Sequence, residues 1–187
     1  MNTRSIVNKL TQFQSLIYSK GYDIVAITET WLSDNLLDHE ILPTGYSIYR
    51  KDRSSRGGGI MLAVENSIPS HALSTPSELE ALYVQIGNDD PINYCLVYIS
   101  PSSSDLYIQT LCDFLTNCSN DKLILVGDFN FPTINWDILQ GETPISNLFC
   151  DLVFNLNLVQ MINEPTHIHG NILDLVLTTD DNFITSL

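Results

Sequence analysis

The stretch "KLILVGDFNFP", Lys122 to Pro132, ends an apolar run on a glycine and then sets an acid and an amide two residues apart. Side chains alternate faces along an extended chain, so Asp128 and Asn130 point the same way there. A carboxylate beside a carboxamide at the lip of a sheet can hold a metal, a water or a phosphate, or simply form the turn that stops the strand. Other polar residues occupy similar places. Glu29 closes "IVAITE", Tyr98 closes "CLVY", and Asn2 stands before the first helical pattern. Asp174 interrupts "ILDLVL", where a buried acid costs several kcal/mol, on the order of the price of an unpaired polar group, unless it is paired or bound. Taken together, these residues suggest metal-assisted phosphodiester hydrolysis. Mg²⁺ prefers oxygen ligands and takes one or two carboxylates, and Glu29 is the best candidate ligand, with Mn²⁺ as an alternative ion. Asp128 would orient or deprotonate the attacking water. Asn130 and Asn2 would hold phosphate oxygens or water, and Tyr98 would donate to the phosphate as its charge rises.

The elements that must position these residues follow from hydrophobic spacing. Ile6, Leu10, Phe13 and Ile17 predict a helix over residues 5–20, which Gly21 can terminate. Apolar or alternating runs predict strands in "DIVAITETW", "YSIYRKD", "RGGGIMLAVENS", "LEALYVQIG", "INYCLVYIS", residues 123–127, "LVQMIN" and "ILDLVLTT". A helix in "SSSDLYIQTLCDFLTNC" is capped by Ser104 or Asp105. Another in "TPISNLFCDLVFNLN" aligns Ile145, Leu148, Phe149, Leu152, Val153 and Leu156 on one face. Residues 33–45 and 67–78 read as loops. About eight strands and three helices in mixed order predict an α/β fold with two sheets.

The 187 residues suit one domain, and a 44% hydrophobic content argues for a folded core. No apolar run reaches the roughly 18 residues of a membrane span, and the N-terminal stretch lacks a signal-peptide core. Cys95, Cys112, Cys118 and Cys150 show no CxxC pairing and read as buried thiols, so an intracellular protein, nuclear or cytoplasmic, is expected. The net charge is −14, unusual for a nucleic-acid binder. Four of the eight Lys and Arg residues, however, fall within "RKDRSSR", Arg50 to Arg56.

The motifs "NTRSIVNK", "AITETWL", "GYSIYRKDRSSRGGGIMLAV", "VYISPSSS", "LVGDFNFP" and "EPTHIHGNILDLVLT" run in order through almost the whole chain. In this the chain resembles the apurinic-type endonuclease domain of non-LTR (LINE-type) retrotransposons, of the endonuclease/exonuclease/phosphatase superfamily. The resemblance implies a four-layer α/β sandwich, two mixed β-sheets flanked by helices, with the site at one edge. It implies Mg²⁺-dependent nicking of DNA that leaves a 3′-hydroxyl to prime reverse transcription, beside a reverse transcriptase domain if the chain is part of a polyprotein. By motif, Asn2, Glu29, Tyr98, Asp128, Asn130 and Asp174 take the family's active-site positions, with Glu29 as metal ligand. Arg53 and Arg56, with Thr166 and His167 of "PTHIHG", are expected to flank the site and touch phosphates.

The family's Ser-Asp-His strand, whose histidine Asp174 would orient, is not found in this sequence, and only Met1 precedes Asn2. The resemblance therefore reads as a single domain lacking its terminal strands, with weak or no cleavage expected from residues 1–187. His39 and His71 are placed in loops, and His167-x-His169 lacks a third ligand nearby. The alternatives are a catalytically dead remnant or domesticated binding module and, less favoured by "TETWL" with "RGGG", a phosphohydrolase acting on an inositol phosphate or lipid head group.

Overall fold

A computed structural model describes residues 2–53, 57–118 and 122–183. Its β-strands are β1 (Ile24–Thr28), β2 (Tyr46–Lys51), β3 (Ile60–Glu65), β4 (Ser70–Leu73), β5 (Ala81–Ile86), β6 (Ile92–Tyr98), β7 (Leu123–Asp128), β8 (Val159–Gln160) and β9 (Asp174–Thr178). Its α-helices are α1 (Leu10–Lys20), α2 (Asp38–Ile41), α3 (Asp105–Asn117) and α4 (Pro144–Asn155). The strands form a three-stranded sheet, β1-β3-β2, and a six-stranded sheet, β4-β5-β6-β7-β9-β8.

Alternation of side chains along the strands builds four layers. In β1, Val25 and Ile27 face outward to meet Phe13 and Ile17 of α1, together with Met61 and Ala63 of β3. The alternate residues of β3, Ile60, Leu62 and Val64, face inward against Val84, Leu96, Ile124 and Val126 of the larger sheet. On the far side of that sheet, Cys95, Val97, Leu123 and Leu125 pack against Leu111 and Leu115 of α3 and Phe149 and Val153 of α4. Both faces of β3 and β7 are thus buried, which is why these strands read as continuous apolar runs rather than alternating ones. The result is the two-sheet α/β sandwich expected from the sequence. The larger sheet is mixed, with β6 and β7 parallel across α3. The strands of the smaller sheet are antiparallel, and an isolated parallel bridge joins Asn2 to Thr28 at its margin.

Local chemistry sets several boundaries. Helix α1 begins later than its apolar spacing predicts. The Ser5 and Ile6 N–H groups donate to the carbonyls of Glu29 and Thr30, and Ser5 has φ +80°, so helix cannot start there. Only a single 3₁₀ turn, Val7–Lys9, precedes α1. Gly21 ends the helix at φ +61° and donates its N–H to the Ile17 carbonyl. Ser104 rather than Asp105 is the N-cap of α3, accepting from the Tyr107 N–H. Two predicted loops hold regular structure: one helical turn at Asp38–Ile41, which contains His39, and strand β4, which contains His71.

Gly127 lets β6 and β7 approach each other. A Cβ at this position would lie 1.8 Å from the Val97 carbonyl oxygen, and the φ of +149° is itself rare for an L side chain. At Gly21 a Cβ would meet nothing within 4 Å. Gly127→Ala is therefore expected to cost more than about 3 kcal/mol in urea unfolding or to abolish soluble expression, whereas Gly21→Ala costs about 1 kcal/mol. Equal, small losses in both variants would refute the close approach.

Candidate active site

Register assembles half of the site. Tyr98 pairs with Asp128 across the parallel β6–β7 ladder, and Asp128 pairs with Asp174 across the antiparallel β7–β9 ladder. Residues directly opposite one another share a sheet face at about 5 Å, so the three form one rung. They continue the inward-facing rows that hold Leu96, Val126 and Val176. The two sheets part here and the apolar row becomes a polar one. The other half comes from the smaller sheet, with Glu29 directly after β1 and Asn2 bridged to Thr28.

Backbone strain marks the turn at Glu29. Glu29 and Trp31 have φ +58° and +54°, a conformation that costs about 1–3 kcal/mol for a residue with a side chain. Hydrogen bonds from both sides hold it. Thr30 and Trp31 donate N–H to the Gly59 and Gly58 carbonyls, while Ser5 and Ile6 donate to Glu29 and Thr30. The glycines of "RGGG" make this possible, since a Cβ on Gly59 would stand 2.5 Å from the Thr30 hydroxyl. "TETW" and the glycines Gly58 and Gly59 are thus two sides of one interlocked turn. Asn130, at φ +51°, ends the adjacent loop in the same region, which asparagine tolerates better than most residues.

The Glu29 carboxylate accepts from the Trp31 indole N–H at 2.5 Å and from the Gly58 N–H at 3.2 Å on one oxygen, and from the Tyr98 hydroxyl on the other. Partial burial raises its pKa, but these hydrogen bonds and the nearby Arg53 charge outweigh burial and hold it below the usual range. Tyr98 is pushed well above an ordinary phenol by burial and by its bond to Glu29, so it remains a donor. Asp128 goes the other way. Burial raises it to about 6, the Asn2 hydrogen bond opposes this, Asp174 and Glu29 add to it, and the Asn130 N–H opposes it in part. One Asp128 oxygen accepts from the Asn2 side chain at 2.8 Å, and the other is buried with no hydrogen-bond partner among the described residues. The Asn130 amide nitrogen donates to the Ile99 carbonyl at 2.8 Å.

Asn2, Glu29, Tyr98, Asp128, Asn130 and Asp174 all line one cavity of about 670 Å³. Thr166 and His167 line it too, with Arg4, Trp31, Pro101 and Leu173. The Thr166 hydroxyl is occupied by its own loop, accepting from the N–H groups of Leu173 and Asp174 at 2.9 and 3.0 Å. Arg53, expected to flank the site, stands beside the cavity. It is not among the lining residues but pairs with buried Glu80 at 2.6 Å and lies over the Tyr98 ring at 5.6 Å. Although exposed, it is held by Glu80 and the Tyr98 ring and supports the site from beside it. Arg56 lies outside the described residues.

Glu80 escaped the sequence reading. It accepts from the Gly59 N–H as well as from Arg53, and its own N–H donates to the Tyr107 hydroxyl, which in turn donates to the Tyr98 carbonyl. The only sequence signal for it is an acid set directly before the apolar run of β5. Trp31 and Arg4 were visible only as parts of the motifs "AITETWL" and "NTRSIVNK".

An α/β sandwich with a carboxylate-lined cavity at the edge where its sheets part is the architecture of endonuclease/exonuclease/phosphatase proteins. Residues 92–186 match the family described as endonuclease-reverse transcriptase, and the chain belongs to that family. Among solved structures, the endonuclease domain of TRAS1, a telomere-specific non-LTR retrotransposon, aligns at TM-score 0.71 and 13% identity, over 97% of this chain and 83% of that one. A 3′ phosphatase from Neisseria bound to product DNA hairpin aligns at 0.66 and 15%, over 95% and 84%. An AP endonuclease from Archaeoglobus fulgidus aligns at 0.62 and 14%, over 95% and 84%. At these identities the likeness is one of fold. No curated protein matches the chain in sequence.

Because the Asp128 carboxyl is raised from 3.8 to about 6 on folding, its burden on stability is small below pH 4, builds between about pH 4 and 6, and is full above that. Asp128→Asn keeps an acceptor for Asn2 and removes the charge. It is expected to stabilise the fold by up to about 3 kcal/mol at pH 7.5 and far less at pH 4, read by denaturant titration at both pH values. Equal effects at the two would mean that Asp128 is not buried as described.

Proposed function

We propose that the chain is a DNA endonuclease domain that cleaves a phosphodiester bond with the help of a divalent cation, Mg²⁺ or Mn²⁺, leaving a 3′-hydroxyl from which a reverse transcriptase extends. The convergence of Asn2, Glu29, Tyr98, Asp128, Asn130 and Asp174 on one cavity carries this reading. Membership of the endonuclease-reverse transcriptase family and the retrotransposon endonuclease fold of TRAS1 support it.

The residues fit a magnesium-type ion. A carboxylate offers about four lone-pair positions, and three at Glu29 are taken by Trp31, Gly58 and Tyr98. One position remains, on the oxygen that meets Tyr98, and the lowered Glu29 pKa keeps it charged. No cluster of three or more His, Cys, Asp or Glu residues suited to a metal exists among the described residues. Mg²⁺ keeps several waters and takes one or two carboxylates, and the open position on Glu29 is the donor this chain offers. When bound, the cation would neutralise charge on the reacting phosphate.

The chain's own groups divide the remaining work. Asp128, with a pKa of about 6, is ionised at neutral pH yet basic enough to take a proton from an attacking water, and its unpartnered oxygen is the acceptor. Asn2 holds the other oxygen and so fixes the plane of the carboxylate. Tyr98, kept protonated, can turn its hydroxyl towards a phosphate oxygen as charge develops. Asn130 is fixed by Ile99 and retains a second amide N–H for the same purpose. Asp174, next to Asp128 in the rung, raises the basicity of Asp128 through its charge.

The test is relaxation of supercoiled plasmid in Mg²⁺, with product ends assayed by polymerase extension. Slow nicking that EDTA abolishes, that yields extendable ends, and that is lost in Asp128→Ala is expected of residues 1–187. Below pH 6 the rate should fall as Asp128 protonates. Glu29→Gln should weaken Mn²⁺ binding measured by electron paramagnetic resonance. DNA binding without any cation-dependent nicking would instead leave the chain as a binding module.

A further inference from the structure

The surface charge poses a problem that the proposed function leaves open. DNA must reach a cavity walled by Glu29, Asp128 and Asp174 on a chain of net charge −14. The described members of the obvious basic cluster already have partners. Arg50 pairs with Asp38 and Asp52, Arg53 with Glu80, and Lys51 donates to the carbonyls of Pro76, Ser77 and Leu79. Lys122 pairs with Asp90. Of the seven described cations, Arg4, Lys9, Lys20 and Lys51 stand outside any ion pair among the described residues, but Lys51 is half-buried and has Glu80 and Glu78 near its charge, whereas the other three are exposed.

Of the three exposed cations, Arg4 lies at the cavity and Lys9 beside it. Arg4 lines it directly and is exposed. Its backbone is left-handed, at φ +45°, and its N–H donates to the Asn2 side chain at 3.2 Å. The N-terminal segment is thereby bent so that Arg4 lies on the wall that also carries Asn2. Lys9 donates its ammonium to the Thr3 carbonyl at 3.0 Å, the peptide unit that leads into Arg4. A neutral carbonyl leaves that charge uncompensated. Lys9 also lines a second hollow, of about 310 Å³, with Gln12 and Thr3, and Asn2 is common to both hollows. Lys20 stands at the other end of α1, about 16 Å along the helix at 1.5 Å per residue.

We infer that Arg4 and Lys9 form a phosphate-binding rim, which holds the backbone of the nucleic-acid strand flanking the scissile bond as it leaves the cavity past Asn2. The inference rests on the endonuclease reading. Arg4 supplies a planar guanidinium suited to bidentate phosphate contact, and Lys9 a point charge beside it. Each phosphate neutralised releases condensed counterions, so each contact contributes about 0.9 to the slope of log Kobs against log salt.

The experiment is fluorescence anisotropy of a labelled 30-base-pair DNA duplex with the 187-residue chain in EDTA, which prevents cleavage, across a sodium chloride series. Arg4→Gln and Lys9→Gln should each weaken binding and lower the salt slope by about 1, and the double variant by about 2. Arg4→Lys should keep the slope, and Lys20→Gln should match the parent chain. Unchanged slopes in Arg4→Gln and Lys9→Gln beside a parent chain that binds would overturn the rim and leave the endonuclease reading standing. An equal loss in Lys20→Gln would also overturn it, because the effect would then be diffuse charge. A parent chain that does not bind DNA at all would overturn the endonuclease reading and the rim with it.

Discussion

The site depends on the alignment of three strand ends. Tyr98, Asp128 and Asp174 share one rung because β6, β7 and β9 pair in one register, and a shift of a single residue would turn each side chain to the opposite face. The register is held from behind. Ile124 and Val126 are bound into the layer between the sheets, and Leu123 and Leu125 into the layer under α3 and α4. A slip would drive an acid into one of these layers at a cost of several kcal/mol, about that of an unpaired buried polar group. The hydrophobic core thus specifies where the carboxylates stand, and Gly127 lets the two central strands close on each other.

Two carboxylates a short way apart acquire opposite characters from their surroundings. Glu29 is surrounded by donors, the indole and amide N–H groups and the phenol, and is kept anionic. Asp128 is buried among other acids with one donor side chain, and becomes a weaker acid. Divergent environments of this kind separate a charge-holding carboxylate from a proton-accepting one. Arg53 and Glu80 serve the first of these. Arg53 lies over the Tyr98 ring and Glu80 accepts from the Gly59 N–H, so a cation that reads from sequence as surface charge alone also supports the site.

Much of this was legible in the residues. Strands β3 and β7 announce themselves as apolar runs, and α4 by its periodic face and the Thr143–Pro144 start. Glu29, Tyr98, Asp128, Asn130 and Asp174 could be named from position alone, since each closes or interrupts an apolar run, whereas Asn2 had only its place before a helical pattern. What stayed hidden depends on long-range pairing. Strand β4, "SHAL", has little hydrophobic signature and exists by its ladder to β5. Asp38–Ile41 is one helical turn, too short for a period. Arg53 and Glu80 are separated by 27 positions, and nothing local reveals that they meet. Arg4 reaches the cavity only because the backbone at Arg4 and Ser5 is bent into the left-handed region by bonds to a distant strand.

The cavity draws its walls from both sheets, Asn2 and Glu29 from one and the rung from the other. The bond between Asn2 and Asp128 joins residues 126 positions apart. Such a contact closes late, since chain entropy disfavours it until the intervening layers are in place. Folding therefore acts as a timing device. A nascent or partly unfolded chain holds its acidic groups in separate, inert halves, and the groups that would attack a nucleic-acid backbone meet only in a finished molecule.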